Sequence, residues 1–493
     1  MKNKKIITFL VLLVFLIGGI FLINNINQNK NKINKTKRRK QNNLAIMIKE
    51  KGATEYTASS SKDIPKGNYT LNYEKSYCKN NGVIGNYDNT LGKVSFSFIG
   101  TDSCYLYFDY GLPGYITILN NNGGKDAIEA KGTPDFSQIA DTNEGMYAAK
   151  DDLGTSYYFR GAVDNNWLQY GEYIKDMYNC NNGILSETDT GNSCTKIASK
   201  GDKMYWRVVR INGDASIRLI YSGITAPTED TKVTMTQNNT LLGNSLFNTN
   251  RNNAEYVGYM YTIGEQHGTS VDSTIKKFLE NWYANYTNLN NKEMKTTDTI
   301  YCNDRMASSS SGKIPEEISL WVSSGTPYYY GAQSRINSPV LTCTNVNDKF
   351  STTISYGNGK LFYSVGLITS DEVMMAGAAS NNNENYNFYL NNGAWYWTSS
   401  PGNFDSYNNA NVYVFSEFGD LDARYTNEND NAARPVISLS PSVKLSGSGT
   451  WNDVYTVSWD LFDNMEWVDK FVPYFFYLGK WAIFCEKSDT FCL

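Results

Sequence analysis

The 493-residue chain contains a single histidine, His267, set in the loop-like run Gly264-Glu265-Gln266-His267-Gly268. That scarcity excludes histidine-rich zinc centres. It also leaves any histidine-based triad dependent on one residue that reads as solvated rather than catalytic. No Cys-x-x-Cys occurs, so neither a zinc ribbon nor a thioredoxin-like site is indicated. Excess charge is also lacking: the formal net charge is −4, which gives no reason to propose nucleic acid as a partner. No catalytic residue, metal site or cofactor is expected from these absences. What is abundant is tyrosine, 37 residues, alongside many asparagines. Tyr and Asn together favour polar β-surfaces and contact loops, although an AT-rich genome would give the same bias. With 41% hydrophobic and 19% charged residues the chain can build real cores, and its length implies two or three domains.

An apolar run from Ile6 to Ile23 follows Lys2, Lys4 and Lys5. Its 18 residues would extend roughly 27 Å as a helix, enough to cross a bilayer. No small-x-small cleavage site follows and no lipobox cysteine is present, which favours an uncleaved signal anchor over a removed signal peptide. The distal flank, with Lys30, Lys32, Lys35, Lys37, Arg38, Arg39 and Lys40, is the more positive one. Taken alone it would keep the body of the chain in the cytoplasm. The cysteines and the Tyr/Asn-rich β modules argue for export, so the expectation is a single-pass cell-membrane protein with its bulk extracellular. The basic stretch then reads as a solvated stalk, or as a contact for anionic lipid or wall polymer.

Eight cysteines fall in local pairs: Cys78 with Cys104, Cys180 with Cys194, Cys302 with Cys343, and Cys485 with Cys492. An even count in an exported chain implies disulfides, and nearest-neighbour pairing respects the module boundaries. Five segments are expected. Residues 1–25 form the anchor and 26–61 a basic polar tether. Residues 62–125 form a small β module with strands near 69–73, 93–98 and 105–108, stapled by Cys78 and Cys104. Residues 126–457 form an α+β domain, and 458–493 an aromatic-rich tail with no assigned role. In the large domain Tyr205–Ile211, Asn212-Gly213-Asp214 and Ser216–Tyr221 read as a hairpin. Val271, Ile275, Phe278, Leu279, Trp282 and Tyr286 recur at helical spacing after a cap at Asp272 or Ser273. Thr369-Ser370-Asp371-Glu372 spells a capping box ahead of a second, short helix.

Strands near 394–399, 411–416 and 435–439 enclose long loops crowded with Asn, Asp, Gly, Ser and Tyr. A rigid sheet presenting such loops suits recognition. Trp395, Trp397, Tyr407, Asn408, Asn409, Asp420, Asp422 and Tyr425 are the candidate ligand contacts: rings to stack, amides and carboxylates to orient. Strand alternation should bury about half of Trp395, Trp397, Tyr413 and Phe415. Arg434 reads as a structural residue paired with a carboxylate.

Several segments in this order carry a resemblance: Tyr158-Phe159-Arg160-Gly161, Trp206–Ile211, Val365-Gly366-Leu367-Ile368-Thr369, Tyr396-Trp397-Thr398-Ser399-Ser400-Pro401 and Arg434-Pro435-Val436-Ile437. Over about residues 150–457 the chain resembles an uncharacterised domain family of surface proteins in low-GC Gram-positive bacteria. That family is similar in turn to the C-type-lectin-like fold shared with formylglycine-generating enzymes. The resemblance implies a C-type-lectin-like domain with twisted antiparallel sheets, two helices and long loops. Trp451-Asn452-Asp453 resembles the calcium-ligand triplet of sugar-binding lectins, but its companion triplet is absent. Trp459–Trp467 resembles a block of the enzymes yet stands at the wrong end of the fold. The functional expectation is an extracellular binding or adhesion protein with a glycan or protein ligand. The alternatives are an envelope or pilus-associated spacer and, behind it, an oxidase using Cys302 and Cys343.

Overall fold

The computed structural model describes residues 43–458 except for 51–52, 54, 61–62, 74, 90, 98–100, 182, 190, 192, 236–239, 292–293, 309–327 and 379–383, together with the strands Tyr477–Leu478 and Trp481–Ala482. The Ile6–Ile23 run and the Cys485–Cys492 pair lie outside the described residues. No helix among the described residues is long and apolar enough to cross a membrane. The chain divides into two compact units, Met1–Gly111 and Leu112–Leu493.

In the small unit, Ser103–Tyr110 is the hub strand. Its even-numbered residues Cys104, Leu106 and Phe108 are buried, and the alternation is what a sheet with one solvated face requires. It pairs antiparallel with Tyr69–Leu71 and Tyr77–Cys78, and parallel with Asn43–Lys49. Val83–Asp88 and Lys93–Ser97 form a separate hairpin. Ile46, Leu71, Leu106 and Phe108 make up the core. Cys78 and Cys104 face each other across paired strands and are bonded. The Asn43–Lys49 strand corrects the reading of 26–61 as tether throughout. Its seven residues, Asn-Leu-Ala-Ile-Met-Ile-Lys, lack period-two alternation, and their partner lies 60 residues downstream in a parallel pairing that no turn announces.

The second boundary also moves, from 125 to Gly111. Residues 112–125, expected to close the small module, instead hold the Gly114–Asn121 helix of the large unit and the turn into a second helix, Lys125–Ala130. That unit is sheet-rich α+β. Its main sheet runs Val436–Leu439, Ile217–Tyr221, Lys203–Ile211, Trp167–Glu172, Tyr455–Ser458, Lys444–Ser446. Gly154–Gly161 joins it through Lys203–Ile211 and carries Asn143–Asp151. Trp167–Glu172 and Tyr455–Ser458 pair parallel; the other pairs in this sheet are antiparallel.

The expected hairpin is present, with Trp206 opposite Tyr221 and Ile211 opposite Ile217. Its tip holds Ala215 at φ 70°. Gly213 must be glycine, because a Cβ there would come within 2.2 Å of the Gly154 backbone nitrogen. The Thr274–Asn285 helix starts where Ser273 accepts from the Lys276 N–H at 3.2 Å. Its apolar stripe of Ile275, Phe278, Leu279 and Trp282 is buried. Trp282 lies 5.9 Å from Tyr221 and 6.5 Å from Trp206, ring centre to centre, and donates to Tyr173 Oη. The second helix, Ser370–Ala376, has the complete capping box of Thr369 and Glu372.

The loops expected between the 394–399, 411–416 and 435–439 strands are shorter than read, because a further strand, Leu421–Tyr425, lies among them. Tyr396–Phe404, Ala410–Phe415 and Leu421–Tyr425 form a tight meander, extended by Tyr328–Tyr329. Three of the four aromatics expected to be half in core are buried outright, Trp397, Tyr413 and Phe415. The Cys180–Cys194 and Cys302–Cys343 disulfides are formed as expected.

Candidate functional site

Two features of the large unit compete as a site: a charged cleft and a polar-aromatic surface. The cleft lies among the Asp151–Gly154 turn, the hairpin, the Cys302 region and the Ser370–Ala376 helix. Glu372, the N3 residue of that helix, receives Arg210 Nε at 2.9 Å and Arg218 Nε at 2.6 Å, while its second oxygen accepts from the Thr369 N–H at 3.0 Å. Arg210 also reaches Asp151 at 2.9 Å. Beside it Arg335 grips Asp371 with two nitrogens, at 3.0 and 3.2 Å, and Asp304 with a third at 2.8 Å.

Burial works to raise the Glu372 carboxyl, and the Arg218 and Arg210 guanidiniums override it, leaving it below the usual carboxylate range. For Asp371 burial prevails over Arg335 and the carboxyl is pushed up. These carboxylates and guanidiniums are engaged with one another, and the enclosed space is about 30 Å³, room for about one water. Cys302 at its edge is joined to Cys343, which is buried. This is a structural ion-pair network. Elsewhere a roomier hollow of about 190 Å³ is lined by Gln169, Glu172, Lys203, Asn288 and Thr456, with Glu172 and Lys203 paired.

The surface of the meander sheet holds the sequence-expected contacts, and the strand register divides them. Ala410–Phe415 separates two turns by roughly 20 Å at strand rise. At one end, Asp405 organises the 405–409 turn by accepting from the Tyr407 and Asn409 N–H groups, each at 2.9 Å, and from the Asn409 side chain at 3.1 Å. Asn408 adopts φ 63° there, and Tyr407 stands 83% exposed, with no ring contact among the described residues. Tyr425 lies toward the same end, opposite Asn411 in register, under the Arg251 guanidinium at 4.3 Å.

At the other end Trp395, half-buried, is met edge-on by Phe418 at 6.2 Å, and Phe418 by Tyr386 at 6.5 Å. The Arg424 guanidinium lies 4.5 Å over the Trp395 ring and pairs with Asp422 at 3.1 Å. Asp420 is occupied by the Ser416 hydroxyl, which closes the 416–420 turn. Trp397 belongs to neither cluster. It is fully buried against Phe247 at 5.6 Å, with its indole N–H given to the Ser245 carbonyl at 2.7 Å.

Arg434 requires a further correction. It is structural, but its partners are the Tyr221 and Leu390 carbonyls at 2.8 and 2.7 Å and the Ser222 hydroxyl, with no carboxylate among them. Phe418, Tyr386 and Arg424 went unread in the sequence. An exposed Phe inside the Glu417-Phe418-Gly419-Asp420 turn, and an Arg two residues after Asp422 on the same strand face, were the available signals.

Compared with family models, curated proteins and solved structures, the chain matches none of them.

Proposed function

We propose that the chain is a membrane-anchored extracellular binding or adhesion protein whose large unit is C-type-lectin-like and takes a glycan or protein ligand. The contact surface is the end of the meander sheet formed by Trp395, Phe418, Tyr386, Asp422 and Arg424. One observation carries this reading. Tyr386 is 55% and Phe418 39% exposed, and with half-buried Trp395 they make a continuous surface of rings beside a charged guanidinium–carboxylate pair. Isolated exposed aromatics need no explanation, but three linked edge-on through Phe418 beside charged side chains have the composition of a binding patch. Rings supply flat faces for sugar C–H groups or apolar side chains. The Asp422–Arg424 pair supplies oriented acceptors and donors.

The test is a glycan array and an envelope-protein capture screen on the purified full chain. Trp395→Ala with Phe418→Ala should lower binding of any hit at least about tenfold. Tyr407→Ala, at the opposite end of the sheet, should leave it unchanged. Equal loss from both variants, or loss only alongside a collapsed melting transition, would remove the assignment. The oxidase alternative draws no support from the cleft, where Cys302, bonded to Cys343, borders a space for about one water.

A further inference from the structure

We infer that the solvated face of the small unit's sheet is a second binding surface, built for an acidic polysaccharide. Along Ser103–Tyr110 the alternation that buries Cys104, Leu106 and Phe108 turns Tyr105, Tyr107 and Asp109 outward. Ala45, Met47 and Lys49 lie beside them in register on the parallel Asn43–Lys49 strand. Tyr77 stacks on Tyr105 with ring centres 5.0 Å apart and planes at 12°, and Tyr56 meets Tyr107 edge-on at 5.0 Å. Four tyrosine rings therefore pave one face of a five-stranded sheet.

Strand propensity alone accounts for tyrosine on such a face. It does not account for the lysines. Lys75 Nζ stands 5.1 Å over the Tyr56 ring and Lys79 Nζ 5.2 Å over the Tyr105 ring, each holding its ammonium above the paving. Lys49 ends the strand beside Asp109. None of the three forms an ion pair among the described residues. Among the described residues the register places one carboxylate on this face, Asp109, which accepts from Tyr56 Oη at 2.7 Å and from the Asn72 amide at 2.9 Å. The face thus presents flat rings and three lysines against one carboxylate, an excess of positive charge.

A ligand complementary to both features is flat, hydroxylated and anionic at intervals. A chain of uronic acid residues fits: sugar C–H faces lie on the tyrosines, and carboxylates reach Lys49, Lys75 and Lys79. An acidic peptide would meet the cations but leave the ring faces unused. This assignment stands on the small unit alone and does not depend on the Trp395 surface.

The experiment immobilises the purified full chain and measures binding of polygalacturonate, poly-L-glutamate and uncharged dextran. Polygalacturonate should bind, weaken as salt rises from 50 to 500 mM, and exceed poly-L-glutamate by about tenfold, with dextran unbound. Lys75→Gln with Lys79→Gln should lower polygalacturonate binding about tenfold. Tyr77→Ser should lower it about fivefold while leaving poly-L-glutamate binding alone. Tyr77 is 49% exposed and both lysines are exposed, so the folded state should survive all three changes. Trp395→Ala with Phe418→Ala should have no effect here, which separates this surface from the other. Equal binding of both polyanions, insensitive to Tyr77→Ser, would overturn the assignment in favour of simple charge attraction. Absence of binding by the folded chain would overturn it outright. Self-association abolished by the same variants would assign the face to a second copy of the chain.

Discussion

The two units solve the folding problem with different resources. The small one encloses Ile46, Leu71, Leu106 and Phe108 and little else, and it joins Cys78 to Cys104 across its hub strand. In the large one a continuous core runs from Ile118 through the main sheet and the Thr274–Asn285 helix to Val457, with Trp206, Trp282 and Trp397 fully buried. Core volume grows faster than surface, so a unit of this smaller size cannot bury enough apolar area to be comfortably stable. A covalent crosslink substitutes for missing core in the first case. In the second, burial suffices, and the fold can afford the buried charges around Glu372. The lesson is that similar disulfides need not have similar weight.

The sharpest way to break that contrast is to remove one disulfide from each unit. Cys78→Ala with Cys104→Ala opens a loop with a sequence separation of 26. In the chain-entropy view this should destabilise the small unit by about 3–4 kcal/mol, enough to unfold most of it. Hydrogen exchange read segment by segment should show protection lost over 43–111 and kept beyond it. Cys180→Ala with Cys194→Ala opens a separation of 14 within a small peripheral three-stranded sheet. It should cost less in effect, loosening Met177–Ala198 while the large unit stays folded. Equal global unfolding by both pairs would refute the division of labour.

The next largest effect tests the charges that the large core tolerates. Glu372→Gln leaves Arg210 and Arg218 buried without their shared carboxylate, a loss of about 3–5 kcal/mol. The pH dependence has a definite sign. The Glu372 carboxyl titrates below its ordinary value of 4.5 when folded. Its stabilisation is therefore complete above that value and is lost as pH falls through the folded-state value. Asp371 is displaced upward from 3.8 by burial, so its contribution runs the other way, weakening as pH rises toward its folded-state value. Acid titration of thermal stability should accordingly lose part of its low-pH slope in Glu372→Gln. Asp371→Asn should steepen that slope. A slope unchanged by Glu372→Gln would show that the ion pair does not carry the acid response.

The same contrast explains which features were readable from the chain. The hairpin at Asn212-Gly213-Asp214, the Thr369 capping box, the Ser273 cap and three disulfides were legible because each signal is complete within a few residues or fixed by a scarce residue type. The Asn43–Lys49 strand was not, since its pairing is parallel and distant. Leu421–Tyr425 was not either, because Asp422 and Arg424 on its outer face look like loop residues until Trp395 is placed beneath Arg424. Composition correctly marked 394–439 as polar and aromatic. Only the register shows that Tyr407 and Phe418 lie at opposite ends of one strand, so the eight expected contacts cannot form a single patch. Arg434 shows the remaining limit: its sequence position suggested burial, but charge alone could not say that carbonyls rather than a carboxylate would receive it.

The smallest expected effect probes how little any single local strain matters to the larger core. Ala215 closes the hairpin tip at φ 70°, a region that costs an L-residue about 1–2 kcal/mol and glycine almost nothing. Its N–H donates to the Asn212 carbonyl at 2.8 Å, and the turn is further fixed by Asn212 donating its N–H to the Ser216 carbonyl at 2.8 Å. Both bonds are backbone and survive substitution. Ala215→Gly therefore relieves strain in the folded state while adding chain entropy to the unfolded state, and the two oppose each other. Strain of about 1–2 kcal/mol less about 0.4–1 kcal/mol of chain entropy leaves a gain of at most about 1.5 kcal/mol. In a unit of this size that amounts to at most about 2 °C in the melting temperature. A lowered melting temperature would mean that the Ala215 methyl group makes contacts worth more than the backbone strain it imposes.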